Sequence, residues 1–426
     1  MAVLGVDDTD SRAGGMCTTW IATEIVDRLP TERVERTYLI RLHPAIEHKT
    51  RGNGAVAVVA DVSARELFEI AAEVVESHAV VEDPQTNPGI VVMSIAGAAR
   101  NGVRGFGRRA VRTTCTRAEA ETLLKRCRAR SRSWGNGRGI IGATAAIGAV
   151  GAHGTSDPVA PVFDDWTYEY IAYREADQWG TQRDVEVPAS VGNTPGVWDT
   201  RDPISGDPVC VPRSPCPVLY GIRGDDPDAI RSVSSALTGE SVDRGRMFVT
   251  NQGTDAHLRP GRIGALEEGH SYRVRGVVGG EPTTGRGGHV SVPLEQNGHV
   301  VRGIAFSPTG RFRETVRELQ PGDEVIACGE VSDGSIKLEK FGLVRRRLTN
   351  RSIPACPTCD RSMKSAGRGQ GYRCRDCGTS APGKRRITRD RDLDIGWYEV
   401  PPDARRHLAK PLARGGYTLP VFPTSG

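Results

Sequence analysis

Two Cys-x-x-Cys pairs constrain this chain more than any other feature: "CPTC", with Cys356 and Cys359, and "CRDC", with Cys374 and Cys377. Each pair sets two thiolates on one tight knuckle. Two knuckles close a tetrahedral four-sulfur site suited to Zn2+. Four protein ligands leave no open position, so the predicted site is structural, a zinc ribbon over residues 348–384. Gly378, directly after the second pair, suits the turn needed there. The plainer alternative is a set of free thiols. The other six cysteines (Cys17, Cys115, Cys127, Cys210, Cys216, Cys328) are scattered, which fits a reducing compartment better than a disulfide framework. Acidic residues begin at Asp7, before any apolar leader can form. The most apolar stretch, 139–152, is too short and too glycine-rich to span a bilayer. The expectation is a cytoplasmic protein with no membrane contact.

A chain of 426 residues divides into several domains. "MAVLGV", "RTYLIRL", "GAVAVVADV" and "GIVVMSIA" read as strands. "CTTWIATEIVDRL" has apolar residues at helical spacing. Helices are also predicted over 63–78, where Ser63 and Glu66 form a capping box, and from Thr116, where Glu119 follows three residues on. The order strand, helix, strand, strand, helix, strand, helix describes an α/β or α+β domain over 1–160. "PVLYGIRG", "DPDAIRSVSSAL" and "DRGRMFVTNQ" suggest a ferredoxin-like domain over 161–262. Residues 263–347 hold five short alternating strands joined by Gly, Asn-Gly and Asp-Gly turns. They fit an OB-fold β-barrel, with an SH3-like barrel as the alternative. Residues 385–426 form a basic tail. The predicted fold class is multidomain α+β.

Lysine supplies only seven of the 57 basic residues, and the net charge is +5. Arginine's planar donors suit phosphate, although a GC-rich genome would also favour arginine codons. Basic residues recur in "RGFGRRAVR", "RRRLTNR", the ribbon and "ARRHLAKPLARGG". Barrel and basic ribbon together point to a nucleic-acid partner held by contacts spread over several domains.

"GVDDTDSRAGGMCTTW", residues 5–20, places Asp7, Asp8 and Asp10 at a strand end and Thr18 near a helix start. Clustered carboxylates can hold Mg2+, which bridges nucleotide phosphates. The N–H groups of the helix would face the same anion. The alternative is an Asx turn with Thr18 or Thr19 as N-cap. Two further turns can wrap backbone N–H groups around phosphate. One carries Lys49, Arg51, Gly52, Asn53 and Gly54; the other carries Gly137, Arg138 and Gly139 at a predicted helix start. Neither matches a Walker-type P-loop. "RNGVRGFGRRAVRTT" is either a polyanion groove or an exposed loop. "TNQGTDAHL" sets Asn251, Thr254, Asp255 and His257 at the end of an apolar strand. That polar density suggests a ligand pocket, with a capped turn as the alternative.

Taken in order, "GVDDTDS…GMCTT", "RGNGAVA", "GNGRGIIGATAAIG", "TNQGTDAH", the barrel segment, "CPTC…CRDC" and "ARRHLAKPL" resemble the archaeal TiaS family, the tRNA 2-agmatinylcytidine synthetases. The resemblance implies an N-terminal kinase-like, ATP-binding catalytic domain whose phosphorylatable threonine aligns with Thr18. A ferredoxin-like domain, an OB fold and a zinc ribbon follow. It implies that agmatine is joined to carbon 2 of the wobble cytidine of the AUA-decoding isoleucine tRNA, which carries a CAU anticodon. ATP is consumed through a phosphorylated cytidine, with AMP and phosphate released. The implied set is then Asp7, Asp8, Asp10 and Thr18 for catalysis, the two turns for ATP, and Asn251, Thr254, Asp255 and His257 for the substrate. Mg2+ and structural Zn2+ are the implied metals.

Two other readings compete. One is a non-catalytic RNA-binding protein using barrel and ribbon. The other is a small-molecule kinase or ligase with appended RNA domains. Mg2+-dependent ATP turnover separates out the first, and agmatine dependence the second.

Overall fold

The computed structural model describes residues 1–11, 15–47, 52–151, 163, 165–347, 349–388 and 391–421. Nine strands form one sheet. In chain order they are β1 (Ala2–Asp7), β2 (Val34–Arg41), β3 (Gly54–Ala60), β4 (Gly89–Ser94), β5 (Arg130–Ser133), β6 (Thr167–Tyr173), β7 (Val197–Trp198), β8 (Val218–Gly224) and β9 (Arg244–Thr250). Their spatial order is β5-β4-β1-β3-β2-β9-β6-β8-β7. Every pairing is antiparallel except β9 with β2, which runs parallel through Val249–Tyr38 and Thr250–Leu39. The sheet therefore runs unbroken from residues before 160 to residues after it.

Both faces of the sheet are covered. Strand β1 alternates Val3 to one face and Leu4 and Val6 to the other. Helices α1 (Thr18–Asp27) and α2 (Ala64–His78) cover the Leu4 face. Helices α3 (Asn101–Ala110) and α5 (Gly139–Val150) cover the Val3 face, with α4 (Arg117–Cys127) outside them. Thr116 and Glu119 make the reciprocal box, whereas at 63–66 the Ser63 half is seen, its side chain accepting from Glu66 N.

Helix α3 replaces the expected loop over residues 101–110 of the 100–114 stretch. Its three glycines lower intrinsic helicity, but packing outweighs them. A Cβ on Gly148 of α5 would lie 2.1 Å from Val103 O of α3, so only small residues allow the two helices this close. Arg104 of α3 is buried, and Arg109 pairs with Glu119.

The second core is a closed barrel. Its strands are β10 (Ser271–Val278), β11 (Val290–Gln296), β12 (His299–Ala305), β13 (Glu324–Ser332) and β14 (Ser335–Arg345). Pairing runs β10-β13-β14-β12-β11 and returns to β10 through Val277–Glu295 and Val278–Leu294. Strand β15 (Gly396–Glu399), from the C-terminal region, extends β14. A small three-stranded sheet carries the cysteine cluster. No helix among the described residues is long and apolar enough to cross a membrane.

Candidate active site and metal centre

Strand β1 ends at Asp7, and the chain turns at once, with Asp8 at φ +57°. Beyond that left-handed turn, Asp10 faces the N-terminus of α1, while Asp7 and Asp8 face Gly142 and Arg138. Thr18 is the first residue of α1, and Cys17 sits at the N-cap without a side-chain cap bond. Neither Thr18 nor Thr19 is therefore the N-cap. Asp10 does the capping from outside: its Oδ1 accepts from Thr18 N at 2.6 Å and from Thr18 Oγ1 at 3.1 Å. Thr9 Oγ1 donates to Thr18 Oγ1 at 3.0 Å. The Thr18 hydroxyl is thus oriented, donating to the Asp10 carboxylate.

Charge is concentrated here. Burial, then the neighbouring Asp8 and Asp10, push the Asp7 carboxyl well above its ordinary range. Burial also raises Asp8, to about 6, although Arg138 opposes it. Arg138 Nε donates to Asp8 Oδ2 at 2.7 Å, and its Nη2 to Gln85 O at 2.7 Å. Gly142 of α5 leaves the space: a Cβ there would lie 1.9 Å from Asp7 Oδ2. Three clustered carboxyl groups thus face a single arginine.

Two cavities meet at this point. The first, about 200 Å³, is lined by Asp7, Asp8, Asp10, Thr18, Arg138 and Asn53. Leu42, His43, Ile46, Thr113 and Cys115 line it too. Burial lowers His43 to about 4, so its ring is neutral near pH 7. The second cavity, about 300 Å³, shares Asp10, Thr18, Gly52 and Gly54 with the first. It adds Arg41, Glu169, Cys210, Arg223 and His407. Arg223 Nε donates to Glu169 Oε1 at 2.9 Å, and Arg41 lies 3.8 Å from Oε2. Burial would raise Glu169, but Arg223 and Arg41 hold it below its usual range. Sequence reading missed Arg41, His43, Glu169, Arg223 and His407. They come from separate strands and loops, and no local pattern marks them.

The other expected residues are placed differently. Of the two turns, Gly52, Asn53, Gly54 and Arg138 line the first cavity. Gly137 and Gly139 line neither cavity. The Gly139 N–H already donates to Asn87 O, so this turn offers a guanidinium and no backbone nest. Lys49 and Arg51 lie outside the described residues. Asn251, Thr254, Asp255 and His257 also line neither cavity. The Asn251 side chain bonds Arg41 N and O, continuing the β9–β2 ladder. Thr254 Oγ1 donates to Asn251 O. Asp255 accepts from Lys340 Nζ at 2.8 Å, and His257 Nε2 bonds Glu339 at 3.1 Å. Asp255 and His257 join the sheet domain to the barrel, whereas Asn251 and Thr254 bond within the sheet domain. The tail arginines are also already used. Arg405 pairs with Asp199 and Glu399, Arg414 pairs with Asp165 and Asp225, and both side chains are 6% exposed. The Arg361 and Arg345 side chains, on ribbon and barrel, remain in solvent at 75% and 69%.

The ribbon brings Cys356, Cys359, Cys374 and Cys377 together, with all four Sγ atoms within 4.8 Å of one another. The knuckles match: Asp360 N donates to Cys356 O, and Gly378 N to Cys374 O. Asp360 and Gly378 take φ +51° and +74°. This geometry fits tetrahedral Zn2+. Such a metal supplies about 10–16 kcal/mol of binding free energy that becomes folding free energy. Cys374→Ala is expected to abolish zinc binding and melt the ribbon while the main sheet and barrel keep their melting temperature. Metal analysis with calorimetry checks this, and a variant that kept stoichiometric zinc would refute the four-sulfur assignment.

Comparison with known proteins agrees with this geometry. Residues 3–62 match the TiaS TCKD domain, 137–257 the TiaS FLD domain, and 353–393 the TiaS C-terminal zinc ribbon domain. The isoleucine-tRNA 2-agmatinylcytidine synthetase TiaS of Haloquadratum walsbyi is 43% identical, covering 99% of this chain and 100% of its own. A crystal structure of TiaS in complex with its isoleucine tRNA and ATP superposes with a TM-score of 0.85 at 38% identity, covering 98% of each chain. One of TiaS with the same tRNA, AMPCPP and agmatine superposes with a TM-score of 0.81 at 35% identity, also covering 98% of each. With full-length identity of this order and all three domain matches in sequence order, the chain belongs to the TiaS family.

Proposed function

We propose that this chain joins agmatine to carbon 2 of the anticodon wobble cytidine of the AUA-decoding isoleucine tRNA at the expense of ATP. Relatives carry agmatinylcytidine synthesis on an isoleucine tRNA in their names, and solved relatives hold that tRNA, ATP, and AMPCPP with agmatine. The observation that carries the reading is the Thr18 hydroxyl, held on Asp10 in the wall shared by two cavities. A non-catalytic RNA-binding protein has no use for that arrangement.

The reading divides the labour between the cavities. The first takes the nucleotide, with Arg138, Asn53 and the Gly52–Gly54 turn toward the phosphates. Asp7, Asp8 and Asp10 would hold Mg2+, whose charge would offset that of the phosphates. The second cavity takes the nucleobase and the amine. ATP supplies the phosphoryl group that makes the cytosine 2-oxygen a good leaving group. Asp10 accepts the Thr18 proton, so Thr18 is the residue to receive a phosphoryl group. Chemistry on a base requires it to leave the anticodon stack. Asp255 and His257 then act at a distance, by fixing the barrel against the sheet domain.

The same reading assigns a kinase-like catalytic domain to 1–160, a ferredoxin-like domain to 161–262, an OB fold to 263–347 and a Zn2+-bearing ribbon to 348–384. The remaining 385–426 form the tail. Mass analysis of the wobble nucleoside after incubation with the isoleucine tRNA, ATP and agmatine tests the function. An agmatine adduct at that nucleoside, absent when ATP or agmatine is omitted, is expected. An unmodified cytidine would refute the reading.

A further inference from the structure

The main sheet ends at β5, and among the described residues no further strand pairs with that edge. The chain that leads into it and forms it reads "KRCRARSR", residues 125–132. The stretch holds five basic residues, and no Asp or Glu occurs over 122–156. All five side chains belong to exposed residues. Arg132 is answered by Glu76 of α2, and close by Arg109 pairs with Glu119 and Arg117 with Glu121. Lys125, Arg126, Arg128 and Arg130 differ, since none of them makes an ion pair with a described residue.

Two of these four have a local reason. Lys125 and Arg126 sit in the last turn of α4, at the negative end of the helix dipole. Arg128 and Arg130 lie beyond the helix. Arg128 takes φ +51° at the helix C-cap, a left-handed conformation that favours glycine. An arginine there keeps a cation where the backbone alone would select a residue without one.

The edge also offers hydrogen-bond donors. Trp134 N donates to Pro88 O. Strand β5 runs antiparallel to β4 with Ser133 opposite Gly89. The alternation of the ladder therefore turns the N–H groups of Arg130 and Arg132 toward β4 and those of Ser131 and Ser133 outward. The same two serines carry hydroxyls. A concavity of about 390 Å³ lies against this edge, lined by Lys125, Arg128, Ser131, Arg132 and Ser133. Its one carboxylate, Glu121, is paired with Arg117. Cations with N–H and O–H donors among them are the groups that bind the phosphate oxygens of a nucleic-acid backbone.

This edge leads to the active site. Past Trp134, whose ring lies 5.1 Å from the Arg132 guanidinium, the chain soon reaches Arg138. Arg138 lines the first cavity and donates to Asp8. Charge on an edge strand also deters pairing with another sheet. That role needs neither an arginine in the left-handed region nor a basic path that ends at the first cavity.

We propose that the edge from Lys125 to Ser133 is a docking surface for the sugar-phosphate backbone of the tRNA whose wobble base enters the cavities. The inference rests on the proposed function, which supplies the RNA. The contact is electrostatic and independent of sequence: ammonium and guanidinium groups replace counterions on the phosphates as the RNA lies against the edge.

Equilibrium binding of the isoleucine tRNA to the full chain, measured across a range of salt, tests it. Arg128→Gln combined with Arg130→Gln is expected to weaken binding about tenfold or more in 0.1 M salt, and to flatten the slope of log affinity against log salt by about two. Arg128→Lys combined with Arg130→Lys should keep the parent slope, because a phosphate accepts either cation. Arg65→Gln, at an exposed helix arginine paired with Glu69, should leave affinity and slope unchanged. The glutamine pair should melt at the parent temperature, because both side chains are exposed. Parent affinity and slope in the glutamine pair overturn the proposal, as does an equal loss per charge in Arg65→Gln. Parent tRNA affinity in the glutamine pair with lost binding to poly-glutamate would assign the edge to an acidic protein instead, and also overturns it. A parent that binds the tRNA but makes no adduct refutes the proposed reaction and leaves the surface standing.

Discussion

Asp7→Asn is expected to lower ATP-dependent adduct formation by about 10²–10³-fold, the usual cost of removing one preorganised electrostatic group, without lowering stability. The two halves of this expectation have one cause. Asp7 is half-buried beside Asp8 and Asp10, and its carboxyl is held well above the ordinary 3.8. A carboxyl whose folded pKa is raised costs the folded state stability at every pH above its unfolded value. The neutral amide relieves that cost. The variant should therefore melt at or above the parent temperature at pH 7, and the difference should vanish as pH falls below about 4. Activity and melting curves on the same preparations check both halves. A variant with parent activity would remove Asp7 from the metal set, and one that melted well below the parent would make its role structural.

Thr18→Ala is expected to abolish adduct formation, by roughly 10³-fold or more if its oxygen is an obligatory acceptor. Thr18→Ser should retain activity, because the serine hydroxyl can keep the 3.1 Å bond to Asp10. Incubation of the parent with ATP alone should add one phosphate to Thr18. The neighbouring Thr19 is the internal control. Its hydroxyl lies 3.4 Å from Cys17 Sγ and lines only the second cavity, away from Asp7, Asp8 and Arg138. Peptide mass analysis distinguishes the two. Phosphate on Thr19, or an active Thr18→Ala variant, would show that the Asp10–Thr18 pair does not carry the transfer.

Local sequence determined a good deal. A capping box spans three residues, so Ser63–Glu66 and Thr116–Glu119 marked two helices that the structure contains. The cysteine knuckles are local too, and the four thiols do converge. Strand β1 and helix α1 lie close together in the chain, so the meeting of Asp10 with Thr18 was legible.

Tertiary structure decided the rest, because the deciding contacts join residues far apart in the chain. Helix α3 carries three glycines and forms because α5 offers a groove of small side chains. Asn251, Thr254, Asp255 and His257 form a polar cluster that suits a ligand pocket or a domain joint equally well. The barrel partners Glu339 and Lys340 make its Asp255 and His257 a joint. Tail arginines read the same whether they face phosphate or carboxylate. Burial against Asp165, Asp199, Asp225 and Glu399 consumes Arg405 and Arg414. The approach of His407 to Gly52 spans more than 350 residues of chain. Periodicity and spacing report neighbours along the chain, and only the packed fold determines which distant side chains share a cavity.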